Sequence, residues 1–336
     1  MNLPKRLNDR IKELNIIALM QAGSQVYGTD IPGKSDIDLK GVFLPNKEQI
    51  YLGRIPRNIS LTTKKNKDDK NTPEDIDVEL FSLHEYIKLA CNGQTIAIDM
   101  LHTPEDMIIE KSAIWDKIVA NRPKFYTKNL NAFVQYARRQ ASRYCLRGSR
   151  LGTIERVLNL LKEESLLAKL SIEKRLRDVW SNLPKLEHTR KYVDEKTGLR
   201  MYEVCGRKFP ETAKLDYIIP ILQKFKDNYG QRAEDAKNNK NIDWKAISHA
   251  VRAAIEVKQI LTEGTITFPL KEAEYLRDIK QGKLHYQNEV APDLEGRMEE
   301  LEDLAEKSTL PNSVDRLFWD KFIIDTIEDY YYINYY

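Results

Sequence analysis

Two aspartates lie one residue apart in the stretch Ser35-Asp36-Ile37-Asp38-Leu39. In a β-strand, side chains at positions i and i+2 point to the same face, with Cα atoms roughly 6.5 to 7 Å apart. Asp36 and Asp38 would therefore repel each other unless a cation lies between them. Carboxylate oxygens are ligands that Mg²⁺ prefers. Because two such ions can stabilise the attacking and leaving oxygens of a phosphoryl displacement, the pair predicts a two-metal phosphoryl-transfer site.

A third carboxylate from a neighbouring strand would complete such a site. Residues 75–81 alternate between polar and apolar types, which is typical of a strand, and Asp77 and Glu79 share one face of it. We expect Asp77 to be the third acid, and Glu79 is the alternative.

Gly23 and Ser24 follow an apolar run at residues 15–22 that predicts a buried strand. A Gly-Ser turn that opens a helix offers backbone N–H groups and a hydroxyl to a phosphate. The order strand, turn, strand would place this turn beside the two aspartates. The sequence therefore predicts a triphosphate-binding turn next to the carboxylates. The simpler interpretation is a tight turn followed by a solvated strand face.

Residues 117–154 include nine lysines and arginines and no acid. A helical projection of this region gives one face that carries a tyrosine and four arginines: Tyr136, Arg139, Arg143, Arg147 and Arg150. Arginine pairs with phosphates and stacks on bases, and tyrosine also stacks. The face predicts an RNA-backbone track or part of the triphosphate pocket, and a solvated helix face is the alternative. If Gly148 ends the helix, Arg150 belongs to a Gly-Ser-Arg turn that could contact phosphate.

A long helix is predicted over residues 243–264, with Asp243 as its N-cap and Gly264 as its stop. His249, Arg252 and Glu256 share the flank opposite its apolar stripe. His249 and Arg252 could face a nucleotide across a cleft, and a structural hydrogen-bonded trio that includes Glu256 is the alternative.

The first third of the chain mixes helix and strand patterns, whereas helical patterns dominate from about residue 125. The exception is the region near 191–209, where a turn at 196–198 predicts a β-hairpin. The C-terminal stretch predicts a helix as far as its tyrosine cluster. We therefore expect an α/β (α+β) protein with two domains. A mixed-sheet domain would occupy residues 1–120, and a mostly helical, substrate-binding domain with the inserted hairpin would occupy residues 121–336.

Composition limits the class of protein. The chain has 336 residues, of which 41% are hydrophobic and 31% are charged, and its net charge is +3. It has neither an apolar run of eighteen residues nor the apolar core of a signal peptide, so we expect no membrane span and a cytoplasmic location. The three cysteines, Cys91, Cys145 and Cys205, lie far apart without zinc-site spacing, which favours reduced thiols.

The pattern Gly-Ser at 23–24, Tyr-Gly at 27–28 and Ser-Asp-x-Asp at 35–38 resembles the signature of the polymerase-β-like nucleotidyltransferase superfamily. One branch, the nucleotidyltransferases associated with RNA-repair operons, is resembled over most of the chain, by residues 23–45, 77–104, 144–151, 242–270 and 275–284. The chain departs from that branch at 93–94, where Gly-Gln replaces an expected Asn-Pro, and at Asp99, where Glu is expected.

The resemblance implies a nucleotidyltransferase-fold N-terminal domain in which Asp36, Asp38 and Asp77 bind two Mg²⁺ ions, with Mn²⁺ as an alternative ion. It also implies that Gly23 and Ser24 hold the β- and γ-phosphates of a nucleoside triphosphate. Secondary nucleotide contacts would come from Tyr27, Thr29, Ser35 and Lys40.

The resulting hypothesis is transfer of a nucleotide from a nucleoside triphosphate to a hydroxyl acceptor, which we expect to be the 3′ end of RNA or tRNA in a repair or end-modification reaction. A protein hydroxyl (AMPylation) or a small molecule is the alternative acceptor. A further alternative is a non-catalytic RNA-binding module, against which the presence of all three acids argues.

Overall fold

The computed structural model describes residues 3–64, 72–128, 148–167, 174–195, 197–237, 239–240 and 242–333. The chain divides into two compact units. The first comprises residues 1–141, 243–284 and 292–336, and the second comprises 142–242 and 285–291. The expected domains at 1–120 and 121–336 stay a prediction; the contacts group residues 243–284 with the N-terminal region.

A five-stranded sheet forms the first unit's framework within the described ranges, in the order β3-β4-β2-β1-β5. The strands are β1 Asn15–Ala22, β2 Ile37–Leu44, β3 Asn58–Thr62, β4 Ile76–Ser82 and β5 Ile108–Lys111. Strands β2 and β4 run parallel, and the other neighbouring pairs run antiparallel. The expected mixed sheet is therefore confirmed.

The helices are α1 Lys5–Lys12, α2 Ser24–Tyr27, α3 Lys47–Tyr51, α4 Leu83–Cys91, α5 Thr95–Met100, α6 Ala113–Ala120, α7 Gly148–Leu167, α8 Leu215–Lys237, α9 Trp244–Glu263, α10 Ala273–Lys280, α11 Ala291–Lys307 and α12 Arg316–Ile333. Helix α9 begins and ends as predicted. The Asp243 carboxylate accepts a hydrogen bond from the N–H of Ala246, and Gly264 takes a left-handed conformation at the other end.

One face of the sheet is apolar because alternate residues of β2 and β4 pack against α1. Leu39, Val78 and Leu80 are buried there together with Leu7 and Ile11 of α1. Since strand side chains alternate between faces, the residues between these leucines and valines must point to the opposite face. The packing of α1 therefore fixes which face of β2 and β4 presents the acidic side chains.

The second unit, as far as it is described, holds a three-stranded antiparallel sheet, β6 Thr189–Val193, β7 Arg200–Val204 and β8 Arg207–Pro210. Strands β6 and β7 form the expected hairpin, and β8 extends it. Tyr202 and Phe209 pack from the sheet into a core with Leu161 of α7 and Leu222 of α8. Helix α7 begins at Gly148, so the alternative of a Gly-Ser-Arg turn after a helix end is wrong.

Helix α12 extends past the expected stop at the tyrosine cluster. The hydroxyl of Tyr330 donates to Asn15 Oδ1 at 3.2 Å, and that of Tyr331 donates to the carbonyl oxygen of Pro45 at 2.6 Å. These two bonds fasten the last turns of α12 to the sheet, which explains why the helix persists. None of the helices in the described ranges has the length and apolar character needed to cross a membrane.

Candidate active site

Asp38 and Asp77 are direct neighbours across the parallel strands β2 and β4. The register pairs Asp38 with Asp77 and Lys40 with Glu79. Asp36 lies one residue before β2. Burial and then the negative charge of Asp36, with a further contribution from Asp77, raise the pKa of Asp38 above its usual range. The three predicted acids are therefore close enough to interact electrostatically.

The donor chemistry of these acids suits a hard divalent cation. Their mutual repulsion disfavours the charged form of Asp38, and a cation would reverse that effect. Within the described part of the chain, no group of three or more His, Cys, Asp or Glu side chains is arranged to hold a metal ion. Asp77 instead lies 4.0 Å from the ammonium group of Lys64. Metal binding by the three acids thus fits their chemical type, and it stays a prediction because their side chains are not arranged around a common point in the described structure.

Glu79, the alternative third acid, already has two partners. Lys40 Nζ donates to its carboxylate at 2.8 Å, and Asn58 Nδ2 donates to the other oxygen at 2.7 Å. Burial alone would raise the pKa of Glu79, but these hydrogen bonds and the charge of Lys40 lower it below its usual range. Glu79 is therefore held by two short hydrogen bonds, whereas Asp77 has a longer ion pair with Lys64 at 4.0 Å, which favours Asp77 over Glu79 as the third acid beside Asp38.

Gly23 lies directly against Asp38. Its φ is 70°, in the left-handed region that favours glycine, and a Cβ atom there would overlap Asp38 Oδ2. Ser24 follows as the first residue of α2, and its carbonyl oxygen accepts a hydrogen bond from the Thr29 N–H at 2.8 Å. The Gly-Ser turn and the Asp38 carboxylate thus form one continuous wall, as the sequence predicts.

A cavity of about 310 Å³ opens at this wall. Its lining includes seven of the residues predicted from the sequence to contact nucleotide and two of the predicted acids: Gly23, Ser24, Tyr27, Thr29, Lys40, His249, Arg252, Asp36 and Asp38. Helix α5 supplies another part of the lining, through Thr95, Ile96, Asp99 and Met100. The size is in the range of small-molecule sites.

Lys245 and Lys280 form a basic part of this cavity that the sequence interpretation missed. Lys245 lowers the pKa of Asp38, and Asp36 acts to raise the pKa of Lys280, so the lysines interact with the acids across the cavity. The net effect on Lys280 is nevertheless a lowered pKa, caused first by burial and then by Lys245. Lys245, His249 and Arg252 are spaced at i, i+4 and i+7, which predicts that all three lie on one face of the helix. This spacing could have identified Lys245 from the sequence.

His249 is held neutral in this environment. Burial, and then the positive charges of Arg252 and Lys245, lower the pKa of His249 to about 4. At neutral pH its ring therefore offers hydrogen-bonding nitrogens and no charge.

Arg252 is the centre of a buried network that joins α2, α5 and α9. Its Nη1 donates to Asp99 Oδ2 at 2.8 Å and to Glu256 Oε1 at 2.6 Å. The Tyr27 hydroxyl donates to the same Asp99 oxygen at 2.7 Å, and the guanidinium group lies 3.8 Å from the centre of the Tyr27 ring. Of the trio given as the alternative, Arg252 and Glu256 are hydrogen-bonded to each other, and direct nucleotide binding by Tyr27, His249 and Arg252 stays a prediction.

The other sequence-predicted residues lie elsewhere. Ser35 accepts a hydrogen bond from the Ile31 N–H at 2.8 Å, within the loop before β2, and it is not part of the cavity lining. The predicted RNA contacts Tyr136, Arg139 and Arg143, and the predicted nucleotide contact Arg147, lie outside the described residues. Arg150 is in the first turn of α7, and its side chain lies outside the described part of the structure.

Comparison with known proteins agrees with this arrangement. Residues 5–162 match the model of the RlaP family, described as an RNA repair pathway DNA polymerase beta family. An uncharacterized 38.9 kDa protein from the nrdC-mobD intergenic region of Enterobacteria phage T4 is 36% identical over 316 residues, which cover 90% of this chain and 94% of that protein. A crystal structure of a nucleotidyltransferase-like protein from Exiguobacterium sibiricum 255-15 covers 89% of this chain and 72% of its own, with 7% identity and a TM-score of 0.25, which is too low to support an argument. The family match and the phage relative together show that this chain belongs to the polymerase-β-like nucleotidyltransferase family associated with RNA repair.

Proposed function

We propose that the protein transfers a nucleotide from a nucleoside triphosphate to a hydroxyl at the 3′ end of an RNA, in a reaction that depends on divalent cations. The observation that carries this proposal is the register of Asp38 beside Asp77, with the Gly23 turn against Asp38 at the mouth of a cavity. Family membership supports nucleotidyl transfer, and the family's description supports an RNA acceptor.

Asp36, Asp38 and Asp77 would hold Mg²⁺, or Mn²⁺ in its place. When bound, the cation supplies positive charge that stabilises the oxygens of the transferring phosphoryl group. The carboxylates position that charge, and their repulsion is relieved when it is present.

The triphosphate would lie between the Gly-Ser turn and the basic wall of the cavity. Gly23 and Ser24 offer backbone N–H groups, because no side chain at Gly23 blocks the approach. Lys245 and Lys280 supply positive charge from the other side, which balances the β- and γ-phosphates and the pyrophosphate that leaves.

In the chemical step, the acceptor oxygen forms a bond to the α-phosphorus while the bond from that phosphorus to the bridging oxygen breaks. Pyrophosphate leaves with the electron pair of the broken bond. The proton of the acceptor hydroxyl passes to the Asp77 carboxylate, which the register places beside Asp38.

A labelling experiment tests the proposal. The protein is incubated with total RNA, Mg²⁺ and each α-³²P nucleoside triphosphate in turn, and the products are separated into RNA and protein. We expect label on RNA, and a loss of at least about 100-fold for Asp38→Asn, because a ligand and a site charge are removed. Asp106→Asn, which changes an exposed acid outside the cavity lining, is the matched control and should retain wild-type labelling.

Two outcomes would contradict the proposal. Label on protein alone would favour the AMPylating alternative. Label that persists in Asp38→Asn at the wild-type rate would show that the carboxylate site is misassigned.

A further inference from the structure

Positive charge is concentrated in the second unit. Its residues, 142–242 and 285–291, contain 22 lysines and arginines against 15 aspartates and glutamates, a formal net charge of +7 in a chain whose total is +3. The remainder of the chain is therefore acidic. An anionic partner would be attracted to the second unit in preference to the rest of the protein.

A groove on the second unit combines this charge with aromatic surface. Its lining includes Arg207, Lys208 and Phe209 of β8, Lys214 directly before α8, and Tyr217 in the first turn of α8. Among the residues that the structure describes, none that lines the groove is acidic. The described lining of the groove therefore carries three basic side chains.

The groove's framework is well fixed. The turn before β8 has positive φ at Cys205 (49°) and Gly206 (86°), as in tight two-residue hairpins, and this sets the position of Arg207. The Arg207 guanidinium lies 5.1 Å from the centre of the Phe225 ring. Phe209 is buried in the core beneath the groove.

Tyr217 differs from this framework because 64% of its surface is exposed. Tyr217 lines the groove together with Lys214. Its backbone N–H donates a hydrogen bond to the carbonyl oxygen of Lys214 at 3.2 Å. Proteins that bind single-stranded nucleic acids combine exposed aromatic rings with lysine and arginine side chains. The bases stack on the rings while the phosphates contact the cations.

We propose that this groove binds single-stranded RNA, with Lys208, Lys214 and Arg207 on the backbone phosphates and Tyr217 stacked on a base. The inference rests on the proposed function for its choice of RNA, and it adds a binding surface in the second unit that uses none of the residues of the predicted arginine face. The strand residue opposite Lys208 in register is Glu203, which lies outside the groove lining.

Fluorescence anisotropy with a labelled 12-nucleotide single-stranded RNA tests the groove directly. The full-length chain is titrated at several salt concentrations as wild type, as Lys208→Glu with Lys214→Glu, and as Tyr217→Ala. We expect the double variant to weaken binding at least about 10-fold and to reduce the salt slope by roughly 1.4, about 0.7 for each phosphate that is no longer neutralised. Tyr217→Ala should weaken binding about 5-fold or more with little change in slope, and Tyr217→Phe should restore it.

The matched control is Lys185→Glu with Lys240→Glu, which makes the same change in net charge at two exposed lysines of the same unit outside the groove. Equal weakening by both double variants would overturn the proposal, because it would show a general charge effect. Unchanged binding by the groove variants, or equally good competition by polyglutamate or by vesicles of anionic lipid, would overturn it as well.

Failure of this inference and failure of the proposed function are separable. Asp38→Asn should bind the RNA as tightly as wild type while it loses nucleotide transfer. RNA binding that depends on the groove in a protein without transferase activity would contradict only the proposed function. Transfer to RNA with no dependence on the groove would contradict only the groove.

Discussion

Replacing Glu256 by Gln tests whether the buried network below the cavity holds a proton. Glu256 is 0% exposed and shares the single Arg252 guanidinium with Asp99. Two buried carboxylates thus face one buried positive charge. Burial, followed by the charge of Asp99 and opposed by Arg252, raises the pKa of Glu256 well above its usual range. We therefore expect Glu256 to be protonated and neutral in the folded protein, where a glutamine of nearly the same shape can replace it.

The magnitude follows from proton linkage. In the unfolded chain Glu256 loses its proton near the ordinary glutamate pKa of about 4.3. The folded protein keeps that proton to higher pH, so the wild-type free energy of unfolding falls by about 1.4 kcal/mol per pH unit above this value until the folded-state pKa is passed. Glu256→Gln has no such proton. Its stability relative to wild type should therefore start within about 1 kcal/mol at pH 5 and then rise with pH, at up to about 1.4 kcal/mol per pH unit, until the folded-state pKa of Glu256 is passed.

Urea unfolding of both proteins at pH 5, 6, 7 and 8 measures this difference. Glu300→Gln is the control, because the Glu300 side chain is 45% exposed and its pair with Lys258, at 2.7 Å, lies at the surface. Such a pair contributes about 0–1 kcal/mol, and its loss should not vary with pH in this range. A constant loss of about 3–5 kcal/mol in Glu256→Gln would refute the reasoning, since that is the cost of breaking a buried ion pair whose acid is charged.

Three further predictions concern the site itself. Asp77→Asn should reduce nucleotide transfer at least about 100-fold in the labelling assay, whereas Glu79→Gln should reduce it less than about 10-fold; equal losses would contradict the assignment of the third acid. Gly23→Ala should lower the free energy of unfolding by about 1 kcal/mol more than Gly33→Ala, because both have positive φ but only Gly23 has a neighbour that a Cβ would overlap. The pKa of His249 is lowered to about 4 from an unfolded value near 6.5, so the protein should lose stability as the pH falls from 6.5 towards 4. His249→Gln should remove the contribution of this histidine to the loss of stability. An unchanged pH dependence of the free energy of unfolding in His249→Gln would contradict this prediction.

The sequence was sufficient to predict the elements that carry their own signals. The alternation of β2 and β4 and the caps of α9 are local patterns, since Asp243 and Gly264 act within a few residues of themselves. The family resemblance implied that Asp77 joins Asp36 and Asp38, but the parallel pairing that places Asp77 directly beside Asp38 came from the register of the sheet.

Long-range partners could not be predicted in the same way. Asp99 and Arg252 are separated by 153 positions, and nothing in either local pattern indicates that they meet. Lys280 occupies the end of an ordinary amphipathic helix, and only the packing of α10 against α9 reveals that it borders the cavity. The hydrogen bonds of Glu79 with Lys40 and Asn58 likewise depend on the register of the sheet, which a single sequence does not specify.

The order of segments in the first unit has a consequence for synthesis of the protein. The cavity combines the residues of β1, α2 and β2 with Lys245 and Lys280, and the whole of residues 142–242 is translated between them. Chains emerge from the ribosome N-terminus first. A nascent chain that carries all three acids therefore still lacks both lysines, and the lining of the cavity is complete only when translation has passed residue 280.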